Sequence, residues 1–140
     1  MNAESQLIID SRREAIAQAR DWLAELTSQA GFSPQTISDL KLVLAEALGN
    51  VIHYAYDGEP GHQIILSLST DDEGLTLTIH DFGHPPDASR YQTPDLSELR
   101  EGGYDAFLIH SLMDKVCYDA SPEKGTTLTL IKWRTEAEQL

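Results

Sequence analysis

Ile64-Ile65-Leu66-Ser67-Leu68-Ser69-Thr70-Asp71-Asp72-Glu73-Gly74-Leu75-Thr76-Leu77-Thr78-Ile79-His80-Asp81 is the stretch that decides the fold. Ile64, Leu66 and Leu68 alternate with Ile65, Ser67 and Ser69. Leu75, Leu77 and Ile79 alternate in the same way with Thr76, Thr78 and His80. Period two marks strands with one buried face, and Asp71-Asp72-Glu73-Gly74 between them reads as a hairpin turn. The apolar row of the second strand runs on to Asp81, so a core face ends in a carboxylate. A buried carboxylate needs donors, and the exocyclic amine of adenine is one. The simpler alternative puts Asp81 just beyond the core, capping a loop in which Gly83 takes a special backbone angle. This strand alone leaves both open.

Working outward, Leu7-Ile8-Ile9 is a short strand candidate. Ser11 and Glu14 have capping-box spacing ahead of a helix bearing Ile16, Ala19, Leu23 and Leu26, with Gly31 as its stop. Ser33-Pro34 opens a second helix, whose apolar stripe is Ile37, Leu40, Leu44, Ala47, Leu48 and Val51 and which Asp57-Gly58 closes. Residues 83 to about 101 show no period and contain Pro85, Pro86 and Pro94. A structureless stretch of that length in a compact domain fits a functional lid. Beyond Gly102-Gly103, residues 107–113 read as a helix, and Val116-Cys117-Tyr118 and 126–133 as closing strands. The order predicts an α+β two-layer sandwich, with helices on one face of a mixed, mostly antiparallel sheet. A single domain over 1–140 is expected, with a lid at about 83–103.

Composition narrows the function. The 10 Lys and Arg against 23 acids give a net charge of −13. That field disfavours nucleic acid and anionic membranes and favours a partner with a basic surface. A nucleotide would need a metal ion and local backbone donors to overcome it. Cys117 is the one cysteine, which excludes an intrachain disulfide, and a buried thiol in a strand is expected. No basic region followed by a long apolar run opens the sequence and no stretch approaches transmembrane length, so a soluble cytoplasmic protein is expected.

Several side chains can carry chemistry. On an ideal helix Glu46, Asn50, His53 and Asp57 share one stripe, which by itself is also what a wet helix face looks like. Gly49 sits in that helix interior at a cost of about 1 kcal/mol against Ala, which suggests close approach to its backbone. Glu46 can accept a proton from an attacking hydroxyl, and the amide oxygen of Asn50 can ligate Mg²⁺. Gly102-Gly103 before a helix can cradle phosphates, though such a pair is often only a turn. Thr126, in phase with Leu128 and Leu130, points inward, where its hydroxyl can assist Asp81. Its ordinary explanation is β-propensity. The five histidines lack paired metal-ligand spacing, so a zinc site is not expected.

Together these segments resemble the GHKL ATPase superfamily, and within it the small bacterial anti-sigma factor serine/threonine kinases. Residues 39–56, with Glu46-x-x-x-Asn50 and a closing Ala55-Tyr56, are similar to the N box. Asp81-Phe82-Gly83-His84-Pro85 is similar to the G1 box. Glu101-Gly102-Gly103 with residues 107–114 is similar to the G2 box, and Gly125-Thr126-Thr127-Leu128 to the last strand. The resemblance spans nearly the whole chain and implies the Bergerat-type fold of that superfamily. It implies ATP and Mg as ligands, Glu46 as general base, Asn50 at Mg²⁺ and Asp81 on adenine. Gly83 would let the backbone pass close to the base, and Thr126 would support the adenine site. Gly102 and Gly103 would shape the phosphate lid, and Arg100 would touch the terminal phosphate. It also implies an anti-anti-sigma protein as substrate, a sigma factor as sequestered partner, and commonly a homodimer. Asp105 departs from the pattern by standing where the G2 box has glycine, and Tyr54 stands where many members have histidine. If Asp105 faces the phosphates it repels them, which leaves a non-catalytic regulatory binding module as the alternative.

Overall fold

The computed structural model describes residues 3–85, 103–121 and 124–139. The expected order holds: β1 (Ala3–Asp10), α1 (Glu14–Gln29), α2 (Pro34–Asn50), the hairpin β2 (Gln63–Thr70) and β3 (Gly74–Asp81), α3 (Gly103–Leu112), and the hairpin β4 (Lys115–Ser121) and β5 (Gly125–Trp133). The strands lie in the order β1-β2-β3-β5-β4. Every pairing is antiparallel, so the sheet is not mixed as expected. The helices contact one another in the order α1, α2, α3. They bury Leu23, Leu40, Leu44 and Leu48 against Leu66, Leu77, Ile79 and Leu130. Lateral register stacks Leu7, Leu66, Ile79, Leu128 and Tyr118 into one row across the sheet. The next row is Ile9, Ile64, Asp81, Thr126 and Ala120. The site row is therefore the last row of the core.

Local chemistry explains most boundaries. Ser33 caps α2 by accepting the Thr36 amide at 3.2 Å, and Pro34 fills the first turn. Asp71 Oδ1 accepts from Glu73 N at 2.8 Å and Gly74 N at 2.9 Å, which folds the β2–β3 turn.

Three local expectations also fail. Ser11 does not cap α1; Arg13 occupies that position without a side-chain cap. The buried Ser11 hydroxyl instead donates to Glu59 O at 2.6 Å and accepts from His62 N at 3.0 Å, tying the end of β1 to the loop before β2. Cys117 is exposed rather than buried. It lies on the edge strand, paired with Thr129 on the face away from the helices, while Val116 and Tyr118 pack against the core. Finally, α2 gives way to a π-helical turn (Val51–Ala55), in which Tyr56 N reaches back to Val51 O at 3.1 Å. The wider turn breaks the ideal 3.6-residue stripe, so His53 and Asp57 drop out of phase with Glu46 and Asn50.

The C-terminal segment latches the opposite end of the sandwich. Arg134 donates to Ala30 O at 2.7 Å and Asp71 O at 3.0 Å, with its guanidinium 4.2 Å from the Phe32 ring centroid. Glu138 is buried and accepts from Ser33 N at 2.7 Å and Thr135 N at 2.9 Å. Burial pushes its carboxyl up, but those amides and the hydroxyls of Thr36 and Thr135 outweigh burial and bring it from 4.5 to about 2. Its stabilisation is therefore complete above about pH 4.5 and fades as pH falls toward 2. Glu138→Gln is expected to cost about 1.5–3 kcal/mol at pH 7. Thermal melts should show that gap closing as the pH is lowered through that window.

Candidate functional site

The site grows from the end of β3. Asp81 is the last residue of that strand, faces the helices, and is only 4% exposed. Its Oδ1 accepts the Gly83 amide at 3.0 Å, and among the described residues no other donor reaches the carboxylate. Burial raises its pKa, with the Gly83 amide pulling partly the other way. Asp81 is buried at the end of a core row, and it also binds the loop that follows.

Thr126 stands directly opposite on β5. Its hydroxyl is buried, at 5% residue exposure, and finds no hydrogen-bond partner among the described residues. An orphaned buried hydroxyl is uncommon and calls for an explanation such as a missing ligand. Beside it lies a carboxylate with acceptor capacity to spare. The pair offers an acceptor and a hydroxyl, a combination that suits a planar base presenting an amine next to a ring nitrogen.

Two glycines make this corner possible. A Cβ on Gly83 would overlap the Ala55 carbonyl, and one on Gly125, at φ 86°, would overlap the Asp81 carbonyl. Gly83 therefore has a steric reason inside the chain, the close passage of the loop over the end of the π turn. Gly49 is different: a Cβ there would meet nothing within 4 Å. The close approach expected at Gly49 is not made by this chain.

Glu46 and Asn50 are half-buried, four residues apart in the regular part of α2, and Asn50 is its last residue. The chain then passes through the π turn to Ala55 and Tyr56, which hold the Asp81 loop. His84 N donates to Ala55 O at 2.8 Å, and Phe82 N donates to Tyr56 Oη at 2.7 Å. The helix with Glu46 and Asn50 and the strand ending in Asp81 therefore meet at one end of the sandwich. No group of three or more His, Cys, Asp or Glu side chains gathers as a metal site among the described residues.

The α3 helix begins at Gly103, earlier than the expected 107–113, so this glycine is its first residue rather than part of the turn before it. Arg100, Gly102 and nearly all of the expected lid lie outside the described residues, as does the Asp105 side chain. Sequence reading gave Tyr56 no role beyond closing a motif, and gave none to the pair formed by Asp57 and His84. No spacing rule links them, because their partners come from other elements.

A family model described as a histidine kinase-like ATPase domain matches residues 9–132. The chain belongs to that family. It is 26% identical over 141 residues to serine-protein kinase RsbW of Oceanobacillus iheyensis, covering 95% of this chain and 88% of the relative. It is 28% identical over 148 residues to serine-protein kinase RsbW of Listeria innocua, covering 99% and 92%. It is also 28% identical over 144 residues to the anti-sigma F factor of Geobacillus stearothermophilus, covering 100% and 99%. No helix among the described residues is long and apolar enough to cross a membrane.

Because burial raises the Asp81 pKa, the folded chain penalises its ionised form. This group's contribution is most favourable at low pH and is lost as pH rises through the raised value. Asp81→Asn keeps an acceptor for Gly83 and removes the charge. It is expected to raise the melting temperature of the nucleotide-free protein at pH 7 by about 2–5 °C, with a smaller gain near pH 4.

Proposed function

We propose that this chain is a Mg-ATP-dependent serine protein kinase and anti-sigma factor, which phosphorylates an anti-anti-sigma partner and sequesters a sigma factor. The observation that carries the nucleotide half is the orphaned Thr126 hydroxyl beside the under-satisfied Asp81 carboxylate. The names of the relatives support the kinase and anti-sigma halves.

In this reading Asp81 accepts from the exocyclic amine of adenine, and Thr126 supplies the neighbouring hydroxyl. Asn50 offers its amide oxygen to Mg²⁺, which offsets the field of a −13 chain. By the family resemblance, Gly102 and Gly103, with Arg100, would bind the phosphates. ATP supplies the phosphoryl group when bound. Glu46 takes the proton from the partner's serine hydroxyl as that oxygen attacks, which requires only a carboxylate within hydrogen-bond reach. A neutral serine hydroxyl is a weak nucleophile, so positioning it and removing its proton are the chain's main tasks.

Calorimetry should show Mg-ATP binding to the wild type. Thr126→Val should weaken that binding by about 3–10-fold without lowering the melting temperature, because among the described residues the lost hydroxyl has no partner. An Asp105→Gly variant belongs in the same experiment. If it binds Mg-ATP and the wild type does not, the chain is a non-catalytic binding module blocked at the phosphates. With an anti-anti-sigma protein as substrate, Glu46→Gln should retain Mg-ATP binding and lose about 10²-fold or more in phosphorylation rate. Loss of binding instead would assign Glu46 to the nucleotide rather than to the proton.

A further inference from the structure

We infer that Tyr56 is a positioning residue for base selectivity, and that its hydroxyl, seconded by the Asp57–His84 pair, hangs the Asp81 loop from the end of α2. The inference rests on Asp81 recognising adenine and adds what holds Asp81 in place.

Asp81 ends its strand and has no regular structure after it to fix its direction. The following residues, Phe82, Gly83 and His84, are tied at each step to Ala55, Tyr56 or Asp57. Tyr56 is buried. Its Oη accepts the Phe82 amide at 2.7 Å and donates to Gln63 O, at the start of β2, at 2.6 Å. The one hydroxyl thus bridges two strand ends, and its ring stacks on His62 at 4.6 Å and 9°. Gly83 presses on Ala55, and the His84 amide bonds to the same Ala55 carbonyl. His84 Nε2 then meets Asp57 Oδ2 at 2.8 Å. Asp57 is the only described non-glycine residue with positive φ, at 54°. That conformation is uncommon outside glycine, and here its side chain meets the loop.

These contacts hold the three residues that directly follow Asp81. Gly83 N, itself held by this packing, is the donor that orients Asp81 Oδ1. Removing the Tyr56 hydroxyl frees the Phe82 amide and lets the carboxylate swing. Adenine, which presents an amine donor to a carboxylate, would lose that acceptor. Guanine, which presents a carbonyl at the corresponding edge position, would lose nothing.

The experiment measures Kd for Mg-ATP and Mg-GTP, and the melting temperature, in wild type, Tyr56→Phe, His84→Ala and Glu138→Gln. Glu138 lies in the remote latch and serves as a destabilised control. We expect the wild type to prefer ATP, and Tyr56→Phe to cut that preference about tenfold through weaker ATP binding alone. His84→Ala, an exposed change that does not threaten the core, should shift it in the same direction by about two- to threefold. Glu138→Gln should lower the melting temperature and leave the preference intact. A preference unchanged in both Tyr56→Phe and His84→Ala overturns the positioning role, whatever happens to stability. A wild type that binds both nucleotides equally overturns the reading of Asp81 itself, and this inference with it.

Discussion

One lateral row of side chains, Ile9, Ile64, Asp81, Thr126 and Ala120, sets what the rest of this molecule must do. The sheet could end its core in apolar residues, and on β1 and β2 it does. On β3 and β5 it ends in a carboxylate and a hydroxyl that the described chain leaves under-bonded. Burying polar groups without partners costs free energy that a compact domain does not spend idly. The antiparallel register fixes the pair side by side, and close passages at Gly83 and Gly125 let the backbone wrap around it.

The helical layer answers to the same constraint. Up to Asn50, α2 is regular and buries its leucines, and it then widens into a π turn. Such turns recur at functional sites because they redirect side chains without ending a helix. Here the turn delivers Ala55 and Tyr56 to the Asp81 loop while Asn50 and Glu46 stay about one and two turns earlier. The residues proposed as proton acceptor, metal ligand and base acceptor thus come from two elements tied together by hydrogen bonds at Ala55 and Tyr56. The C-terminal latch built on Arg134 and Glu138 closes the far end of the sandwich from the proposed site.

Much of this was legible in the sequence where local physics decides. The β2–β3 hairpin follows from strict alternation and an acidic turn, and the start of α2 from Ser33-Pro34. The boxes around Glu46, Asn50, Asp81, Gly83 and Thr126 drew attention to the corner that the fold assembles. What stayed hidden depends on partners distant in sequence. Ser11 looks like a cap, yet its hydroxyl is taken by Glu59 and His62, 48 and 51 residues away. Cys117 looks like core, yet its strand is at the sheet edge. The π turn breaks a helical stripe that ideal geometry would have continued to Asp57, and the double role of the Tyr56 hydroxyl arises only once two strand ends are brought together.

The central claim is that Asp81 and Thr126 form the seat of an adenine base. Its most direct test is a crystal structure of the protein with Mg²⁺ and a non-hydrolysable ATP analogue. The exocyclic amine is expected within hydrogen-bond distance of Asp81, with a partner for the Thr126 hydroxyl supplied by the base or by a water it orders. A base seated elsewhere, with the Thr126 hydroxyl still alone, would contradict the claim.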